Sequence, residues 1–392
     1  MDNALLVLNA GSSSLKFALY RVEGEAEFAL RYRGIVEEIG GASRLRVLAA
    51  PAADECIDAP VAVRDHNAAI TALLDWLDPK LDGLHLIAAG HRVVHGGADH
   101  AAPVRVDADI LAQLERLVPI DPLHQPHNLA GIRALMQARP KLPQIACFDT
   151  AFHRHMPELA QRFALPAEIV EAGVRRYGFH GLSYQYIADV LPDYLGPVAD
   201  GRVIVAHLGN GASLCAMHAR KSIDTTMSFT PLDGLTMGTR CGAIDPAIPL
   251  YLMRERNMDI EAVSDLLHRR SGLLGLSGLS SDMRQLLASD RPEARLAVEH
   301  FVYHVAQGIG ALSMALGGLD ALVFTAGIGE HAAPVRAQIC ARAAWLGLEL
   351  DAEANAAHGP CISAAPSLVS AWVIPTDEER IIARQAHALA TA

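Results

Sequence analysis

The sequence predicts a mixed α/β fold that is built twice, once in each half of the chain. Apolar segments typical of strands alternate with segments of helical periodicity, as expected for strands and helices in one sheet structure. A strand, a turn rich in Gly, Asn and Ser, and a second strand occur at residues 4–19 and again at 203–216. A third apolar strand, 322–324, also runs into a glycine-rich turn. Two similar units of about half the chain each would explain this repetition.

The first turn has the composition of a phosphate-binding site. An apolar strand runs into Asn9-Ala-Gly-Ser-Ser-Ser14, and a second strand follows at once. Backbone N–H groups in such a turn can form an anion-binding nest, Ser12 and Ser14 add hydroxyl donors, and Lys16 adds a positive charge. A serine-rich hairpin turn without a ligand would have a similar composition. The turn lacks the Walker pattern Gly-x-x-x-x-Gly-Lys-Ser/Thr.

The other two turns extend the same pattern. One is His207-Leu-Gly-Asn-Gly211 and the other is Thr325-Ala-Gly-Ile-Gly-Glu-His331, each placed directly after an apolar strand. A single Gly-x-Gly segment is weak evidence. Three strand-to-glycine turns, two of them in matching halves, favour a duplicated nucleotide-binding fold with a cleft between its two lobes.

The composition limits the classes of protein to consider. A length of 392 residues predicts two or three domains, and 51% hydrophobic with 20% charged residues is typical of a soluble globular protein. The formal net charge of −11 argues against a nucleic-acid surface, although a few local arginines can still bind phosphate. Because no apolar run could span a bilayer and no signal peptide opens the chain, the expected location is the cytoplasm.

The cysteines and histidines do not predict a metal centre. No Cys-x-x-Cys pair occurs, so most cysteines are expected to be buried, small apolar residues in a reducing compartment. The chain has 18 histidines, but their spacing does not favour zinc. The six cysteines are Cys56, Cys147, Cys215, Cys241, Cys340 and Cys361.

Hydrophobic periodicity predicts the remaining elements in chain order. Residues 119–128, rich in Pro and His, and residues 224–246 show little periodicity and are predicted to be loops. A loop as long as the second is usually functional or disordered, and its Met, Leu and Phe content argues against disorder. Helices are predicted at 66–78, 110–117, 128–138, from within 175–184, at 296–317 and at 377–391, and strands at 84–89, 144–148 and 369–374.

Several polar residues lie at the carboxyl ends of predicted strands. They are Asn9, Arg92, Asp149 and Asn210. In open α/β sheets, binding sites form at the carboxyl ends of strands. This placement therefore favours a functional role for these four residues.

The chain resembles the acetate kinase family, whose superfamily also contains sugar kinases, actin and the heat-shock chaperone ATPases. The resemblance covers essentially the whole chain and rests on eight motifs in order. The motifs are Leu8-Asn-Ala-Gly-Ser-Ser-Ser-Leu-Lys-Phe17, His91-Arg-Val-Val-His-Gly-Gly97, Phe148-Asp-Thr-Ala-Phe-His153, Arg176-Tyr-Gly-Phe-His-Gly181, His207-Leu-Gly-Asn-Gly211, Met237-Gly-Thr-Arg-Cys-Gly242, Ser280-Ser-Asp-Met-Arg284 and Thr325-Ala-Gly-Ile-Gly-Glu330.

The resemblance implies a duplicated ribonuclease H-like (actin-like ATPase) α/β fold with two lobes, mixed sheets and a central cleft. The first lobe would comprise residues 1–150 and 376–392 and hold the acetate and phosphoryl side. The second lobe, 151–375, would bind the nucleotide and form a homodimer. No nucleic-acid or membrane partner is expected.

The activity implied is reversible, direct in-line transfer of the γ-phosphoryl group of ATP to acetate, giving ADP and acetyl phosphate. The implied metal is Mg²⁺, with Mn²⁺ as a substitute. Acetate is already an anion at neutral pH, so the reaction needs charge neutralisation and positioning more than it needs a general base. Arginines and a metal ion supply both.

The resemblance also implies roles for individual residues. Arg92 and Arg240 would hold the substrate carboxylate and the transferring phosphoryl group, and His180 would donate a hydrogen bond in the transition state. Asp149 would be the catalytic carboxylate, acting either in proton transfer or by positioning the metal and an arginine. Asn9 and Glu378 would belong to the Mg²⁺ site, directly or through water.

The remaining carried-over positions form two binding sites. The acetyl group would lie among Val94, Leu123, Phe179 and Pro231, beside Arg92. ATP would be bound by Ser12, Ser14, Lys16, His207, Leu208, Gly209, Asn210, Gly211, Asp282, Met283, Arg284, Gly327, Ile328, Gly329, Glu330 and His331.

Each assignment has a structural alternative. The two arginines could form structural ion pairs, His180 could simply begin a helix, and Glu378 could be a first-turn carboxylate favoured by the helix dipole. The four apolar pocket residues could belong to the core. Four further histidines are equally compatible with loop, core or site positions and stay outside the catalytic set: His95, His124, His127 and His153.

The chain departs from the family pattern at three positions. His331 stands where Asn is expected, Tyr184 where His is usual, and Ala243 where Asp is common. None of these departures removes a residue assigned to catalysis. The glycines on either side of Arg240 are expected to make its turn flexible, so that the guanidinium could move onto the phosphoryl group.

Two other functions remain open. A kinase for propionate or butyrate is one, although Val94 fills space that an additional methylene would need. A catalytically silent ATP-binding scaffold is the other, but the chain shows neither a lost arginine nor an added binding domain.

Overall fold

The computed structural model describes residues 2–24, 27–49, 57–81 and 83–392. The chain forms two compact units, the first comprising Met1–Ala151 with Asp377–Ala392 and the second Phe152–Thr376. Cys56, one of the six cysteines, lies outside the described residues. Each unit contains one sheet and its own helices.

The sheet of the first unit has eight strands in the order β5-β4-β3-β2-β1-β6-β8-β7. Strands β1 to β5 form an antiparallel series, β6 and β8 run parallel to β1, and β7 is antiparallel to β8. The strands are β1 (Asp2–Ala10), β2 (Ser14–Val22), β3 (Phe28–Glu37), β4 (Arg44–Ala49), β5 (Ile57–Pro60), β6 (Leu84–Val93), β7 (Val104–Arg105) and β8 (Gln144–Phe148).

The sheet of the second unit has five strands in the order β11-β10-β9-β12-β13. Strands β9, β10 and β11 are antiparallel, whereas β12 and β13 continue parallel to β9. The strands are β9 (Arg202–Leu208), β10 (Ala212–His218), β11 (Lys221–Thr225), β12 (Ala321–Thr325) and β13 (Ser370–Val373).

Helices α1–α3 and α15 belong to the first unit, and α4–α14 to the second. The helices are α1 (His66–Leu77), α2 (Ala108–Glu115), α3 (Gln125–Ala138), α4 (Glu158–Gln161), α5 (Ala167–Glu171), α6 (Gly181–Leu195), α7 (Ala247–Glu255), α8 (Ile260–Arg269), α9 (Gly272–Ser277), α10 (Met283–Leu287), α11 (Pro292–Leu316), α12 (Ala326–His331), α13 (Ala333–Arg342), α14 (Ala352–Ala356) and α15 (Glu378–Thr391).

The two sheets repeat one topology. In each unit the first three strands form an antiparallel series, and two further strands join the other side of the first strand in parallel. The first hairpin closes between paired Ala10 and Leu15, and the second between paired Leu208 and Ala212, so the second turn is one residue shorter. This repetition confirms the duplicated fold with mixed sheets that the sequence predicts.

Close packing of α15 on β6 requires a glycine. A Cβ atom on Gly90 would lie 2.5 Å from Ile382 Cγ2 and 3.1 Å from Ala386 Cβ. The missing side chain lets the helix lie directly on the strand, and this brings the first turn of α15 to the carboxyl end of β6. In the second unit, Gly308 plays the same part for α11, because its Cβ would lie 2.8 Å from Leu214 Cδ1.

One predicted boundary and one predicted turn are wrong. Helix α3 begins at Gln125, inside the predicted loop 119–128. Pro126 lies in its first turn, where the backbone N–H that proline lacks would have no partner within the helix, so the proline is compatible with the helix. The glycine segment after β12 is the short helix α12 rather than a turn. The other predicted helices and strands are present, with small shifts at their ends, and residues 226–246 contain no helix or strand.

The apolar stretch 300–319 lies mostly in α11, whose inward side chains Phe301, Val305 and Ile309 are buried in the second unit. It is therefore a core helix. Among the described cysteines all are free thiols, with three buried and two partly exposed. Over the described ranges, none of the helices combines the length and apolar character that crossing a membrane requires.

Candidate active site

Three polar residues of the first unit lie at the carboxyl ends of adjacent parallel strands. Leu8 pairs with His91 and Arg92 pairs with Cys147, so Asn9, Arg92 and Asp149 lie at the ends of β1, β6 and β8. Lys16 pairs directly with Asn9 across the β1–β2 hairpin. Directly opposed residues share one face of a sheet, so Lys16 and Asn9 extend to the same side.

Arg92 and Asp149 form a bidentate ion pair. Arg92 Nη2 donates to Asp149 Oδ2 at 2.6 Å, and Nε donates to both carboxylate oxygens at 3.2 Å. The Asp149 side chain is 1% exposed, whereas that of Arg92 is 22% exposed. Burial alone would lower the pKa of Arg92, but the Asp149 and Glu378 carboxylates outweigh it and raise that pKa. The guanidinium therefore stays charged.

Glu378 reaches the same arginine from α15. Its Oε2 lies 3.9 Å from Arg92 Nε, and it occupies the first turn of the helix, behind the N-cap Asp377. The dipole of α15 favours a carboxylate at this position. The structural alternative for Glu378, a first-turn carboxylate, therefore applies, and the same position leaves the carboxylate beside Arg92.

The serine turn of the first unit presents its donors outward. Gly11 N–H donates to the Ser14 carbonyl at 2.8 Å and closes the turn, and His66 Nε2 hydrogen-bonds Gly11 O at 2.8 Å. Ser12 and Lys16 are exposed, and Ser14 is half-buried. Hydroxyl and ammonium donors in these positions suit an anionic ligand.

Two buried amides on α3, which the sequence interpretation missed, support this edge of the sheet. Asn128 Oδ1 accepts from Val94 N–H at 2.9 Å, and Asn128 Nδ2 donates to Ala10 O at 2.7 Å. Gln125 exchanges hydrogen bonds with the backbone of His95, at 3.1 and 3.3 Å. Asn128 thus joins the last residue of β1 to the first residue after β6. No sequence signal could have separated these amides from the surrounding Pro and His residues.

We expect Asn128→Ala to lower the free energy of unfolding by about 2–4 kcal/mol, because it leaves the Val94 N–H and the Ala10 carbonyl without their buried partner. Urea unfolding of the variant, compared with Asn67→Ala on the exposed surface of α1, measures the effect. A loss no larger than that of the Asn67 control would contradict the bridging role of Asn128.

In the second unit, two histidines stack beside the first glycine turn. The rings of His180 and His207 lie 4.1 Å apart with an interplanar angle of 20°. His180 Nδ1 hydrogen-bonds Ser213 Oγ at 2.8 Å, and His207 Nδ1 hydrogen-bonds Ser183 Oγ at 2.8 Å. His180 has a φ of 57° and stands directly before α6. It does begin a helix, as the structural alternative supposed, but its ring is also fixed beside His207.

Arg240 approaches the same turn. A Cβ placed on Gly211 would lie 3.3 Å from His180 Nε2 and 3.6 Å from Arg240 Nη2, so the two groups converge on this glycine. Arg240 Nη1 donates to Pro231 O at 2.9 Å. The long loop thus brings two predicted residues together that lie 60 positions apart in the sequence.

The expected flexibility around Arg240 is wrong. Gly238 N–H donates to Asn210 O, Ser271 N–H to Thr239 O, and Cys241 N–H to Leu267 O, so the turn is fastened to its neighbours. A Cβ on Gly242 would collide with the Leu235 carbonyl, and one on Gly238 would collide with Asn210 Oδ1. These glycines serve close packing, because no larger residue fits the space.

The second and third glycine segments lie side by side. Thr325 pairs with His207 at the ends of β12 and β9, and a Cβ on Gly209 would lie 3.7 Å from Ala326 Cβ. Gly327 has open space around its Cβ position. Glu330 is turned inward, where Oε1 accepts from Ala326 N–H at 2.8 Å and Thr376 N–H at 3.2 Å.

Other members of the predicted ATP set take varied positions. Leu208 and Met283 are buried, so only their backbone groups could contact a ligand. Asp282 caps α10 and pairs with the exposed Arg284. His331, at one of the departures, is 75% exposed. Asn210, Gly329 and Ile328 belong to the two adjacent glycine segments.

The four predicted pocket residues divide between the units, with Val94 and Leu123 in the first and Phe179 and Pro231 in the second. Val94 and Phe179 are buried, and Phe179 O accepts a hydrogen bond from His153 Nε2 at 2.9 Å. Burial lowers the pKa of His153 to about 4, so this histidine is a neutral structural support. Leu123 is half-buried.

The other open histidines also have structural partners. Burial lowers the pKa of His95 to about 4, and its Nδ1 accepts from Gly97 N–H at 2.8 Å. His124 pairs with Asp121, and His127 stacks on His66. Ala243, the third departure, lines a cavity of about 370 Å³ beside the Arg240 loop.

The oxygen donors of the first unit suit Mg²⁺ better than a metal ion whose ligands are all protein side chains. Within the described part of the chain, no cluster of three or more His, Cys, Asp or Glu side chains could hold a metal ion. Mg²⁺ does not need such a cluster, because it usually keeps several waters and uses one or two protein oxygens together with substrate phosphates. The Asn9 amide and the Glu378 carboxylate supply oxygens of this kind.

Comparisons with known proteins agree over the whole chain. The profile described as the Acetokinase family matches residues 4–384. An acetate kinase of Rhodopseudomonas palustris (strain ATCC BAA-98 / CGA009) is 53% identical, covering 100% of this chain and 99% of its own length. One of Clostridium botulinum (strain Loch Maree / Type A3) is 44% identical, covering 97% and 98%.

Two solved structures are also similar. A propionate kinase from Francisella tularensis subsp. tularensis SCHU S4 has a TM-score of 0.92 and 37% identity, covering 98% of this chain and 99% of that one. The acetate kinase of Porphyromonas gingivalis has a TM-score of 0.88 and 35% identity, covering 99% of both chains.

Proposed function

The chain belongs to the acetokinase family, and from this premise we propose that it transfers the γ-phosphoryl group of ATP reversibly to acetate, giving ADP and acetyl phosphate. The observation that carries the proposal is the Arg92–Asp149 pair at the carboxyl edge of the first sheet. It provides a permanently charged guanidinium that Asp149 orients, on a side chain that is 22% exposed, and a charged planar group of this kind suits recognition of a small carboxylate.

Two cationic groups would neutralise the reacting anions. Arg92 would bind the acetate carboxylate, and Arg240 would bind the oxygens of the transferring phosphoryl group. A direct transfer then depends on alignment and charge stabilisation, with little covalent work for the protein. His180 would add a hydrogen bond to the same phosphoryl oxygens.

Asp149 acts in this proposal by positioning Arg92. Its carboxylate accepts three hydrogen bonds from the guanidinium, which stabilises the ionised form, and an ionised carboxylate has no proton to give. The ionised acetate substrate also needs no base. Both facts favour positioning over proton transfer.

ATP would lie along the glycine segments 207–211 and 327–331 of the second unit, with Lys16, Ser12 and Ser14 of the first unit near its phosphates. Asn9 and Glu378 would hold Mg²⁺ directly or through water. The ion, when bound, would neutralise charge on the phosphate oxygens. Exposed Arg284 and the cap residue Asp282 complete the proposed nucleotide contacts.

Trapping acetyl phosphate as its hydroxamate, with Mg-ATP and acetate, tests the proposal. We expect product to accumulate with time and with enzyme concentration. Folded protein that binds ATP and forms no product would instead support the ATP-binding scaffold.

Substrate size is the second question, because the propionate kinase of Francisella is structurally similar. We propose that acetate is preferred and propionate is tolerated, since Val94 would occupy the space of the added methylene. One methylene in an apolar pocket is worth about 1–3 kcal/mol.

We therefore expect Val94→Ala to shift the ratio of kcat/KM for propionate over acetate by about tenfold or more toward propionate. Initial rates with both acids, for the wild type and for Val94→Ala, provide the measurement. Val93→Ala, one residue earlier and in the core of the first unit, is the matched control. A wild-type enzyme with higher kcat/KM for propionate would overturn the acetate assignment.

We also propose a homodimer. Helix α7 exposes Ile248, Leu250, Tyr251 and Met253, an apolar surface that a second copy could cover. Light scattering should give twice the 41.9 kDa of one chain, and the monomer mass at working concentration would reject the dimer.

A further inference from the structure

Each of the two stacked histidines contacts a chain of hydroxyl groups, all buried except that of Thr376, which is half-buried. His180 Nδ1 contacts Ser213 Oγ, and Ser213 Oγ in turn contacts the Tyr184 hydroxyl at 2.5 Å. His207 Nδ1 contacts Ser183 Oγ, which contacts Thr376 Oγ1 at 2.9 Å. Tyr184, Ser213 and Ser183 are fully buried. Because these three side chains are shielded from solvent, their hydroxyl protons need acceptors within the protein.

The chain beneath His180 has a preferred direction. Burial raises the pKa of Tyr184 well above 10, so the phenol keeps its proton. A backbone hydrogen bond with His207 lowers the same pKa, as expected when an N–H donates to the phenol oxygen. Within the described residues, Ser213 Oγ is the acceptor available to the Tyr184 proton. Ser213 therefore accepts from Tyr184, and its own proton is free to point at His180 Nδ1.

The reverse direction would leave a buried group unsatisfied. A serine hydroxyl has one proton and two acceptor lone pairs. If Nδ1 of His180 carried a proton and donated it, Ser213 would accept from both His180 and Tyr184. The buried proton of Ser213 would then lose its acceptor, at a cost of about 1–3 kcal/mol.

We propose that Tyr184 and Ser213 are positioning residues that hold His180 as a neutral imidazole with its proton on Nε2. A neutral ring is favoured here for two further reasons. The parallel ring of His207 lies 4.1 Å away, and Arg240 Nη2 approaches the same glycine, Gly211, as His180 Nε2. A positive charge on His180 would be repelled by the Arg240 guanidinium, and it would also be repelled by a positive charge on His207.

The consequence for chemistry rests on the proposed function. With its proton on Nε2, His180 can donate a hydrogen bond to a phosphoryl oxygen without first being protonated. The opposite tautomer would point a lone pair at that oxygen and repel it. Tyr184, which departs from the histidine usual in the family, thereby acquires a role specific to this chain.

The tautomer can be measured without substrate. Long-range ¹H–¹⁵N correlation spectra of the full-length protein, labelled with ¹⁵N-histidine, distinguish the Nε2–H form, the Nδ1–H form and the imidazolium. The His180 signals are assigned by their loss in His180→Asn. We expect the Nε2–H form in the wild type at neutral pH, and a mixture of tautomers in Tyr184→Phe and Ser213→Ala.

Ser183→Ala is the matched control. It removes the hydroxyl beneath His207 and should alter the His207 signals while leaving His180 in its Nε2–H form. An Nδ1–H or imidazolium form of His180 in the wild type would overturn the proposal, as would a tautomer that Tyr184→Phe does not change.

Kinetics provide the second readout. Tyr184→Phe should lower kcat about threefold to tenfold with the ATP KM nearly unchanged, the effect of one weakened hydrogen bond. An unchanged kcat would contradict the positioning of His180 by Tyr184 and Ser213. If the protein shows the Nε2–H tautomer but no acetate kinase activity, the positioning role of Tyr184 and Ser213 stands and the proposed function is rejected. If the enzyme is active but His180 is in the Nδ1–H form, the proposed function stands and the positioning role is rejected.

Discussion

Replacing Arg240 by lysine should lower kcat by about 10³ or more, with the KM for ATP changed only a few fold. An arginine that stabilises the charge of a transferring phosphoryl group contributes on this scale. Arg240 uses Nη1 to hold the Pro231 carbonyl, and Nη2 lies near Gly211, the glycine that His180 Nε2 also approaches. A lysine has a single nitrogen and cannot do both, although it keeps the charge. Steady-state kinetics with ATP and acetate varied separately measure the change.

The matched control for Arg240 is Arg220→Lys, an exposed arginine of the same unit that pairs with Asp200. It should behave as the wild type. Added guanidine should partly restore Arg240→Ala by supplying the missing cation. Turnover of Arg240→Lys near the wild-type rate would contradict the proposal that Arg240 stabilises the transition state.

Replacing Arg92 by lysine should raise the KM for acetate as well as lower kcat. The bidentate contact to Asp149 and the contact to the substrate carboxylate both need the planar guanidinium, and charge-assisted hydrogen bonds contribute about 1.5–3 kcal/mol each. A loss of about 10- to 100-fold in kcat/KM for acetate follows from one such bond. Lysine is preferred to alanine, because alanine would leave the buried Asp149 carboxylate unpaired, at about 3–5 kcal/mol of stability.

The variant Asp149→Asn distinguishes two roles of Asp149, the positioning of Arg92 and proton transfer. If Asp149 orients Arg92, Asp149→Asn should raise the acetate KM as Arg92→Lys does, and the double variant should lose less than the product of the two single losses. Independent, multiplicative effects, with the acetate KM unchanged in Asp149→Asn, would contradict the positioning role.

Much of the site could be predicted because its residues lie at the carboxyl ends of strands. Asn9 and Arg92 are the next-to-last residues of β1 and β6, Asp149 follows β8, and parallel neighbours bring these ends to one edge of the sheet. The apolar runs of these strands are visible in the sequence, and so are the turns that end them. The glycine segments after β9 and β12 follow the same rule.

Other features could not be predicted, since they depend on side chains that meet only in the folded chain. Asn128 bridges two strand ends from within a segment that resembles a loop. The turn around Arg240 suggests flexibility by its composition, yet its glycines are there because neighbouring carbonyl and amide groups leave no space for a Cβ. Pro126 suggested a loop, but the first turn of a helix accepts it.

The sequence by itself determined the duplicated fold, the strand-end positions of the polar residues and the family, because these depend on local periodicity and on motifs read in order. Only the tertiary structure decided how the residues are held: Arg92 by Asp149, Arg240 by Pro231, and His180 by Ser213 and Tyr184. Hydrogen-bond partners far apart in the chain are set by packing, and the proton position on a histidine follows from those partners.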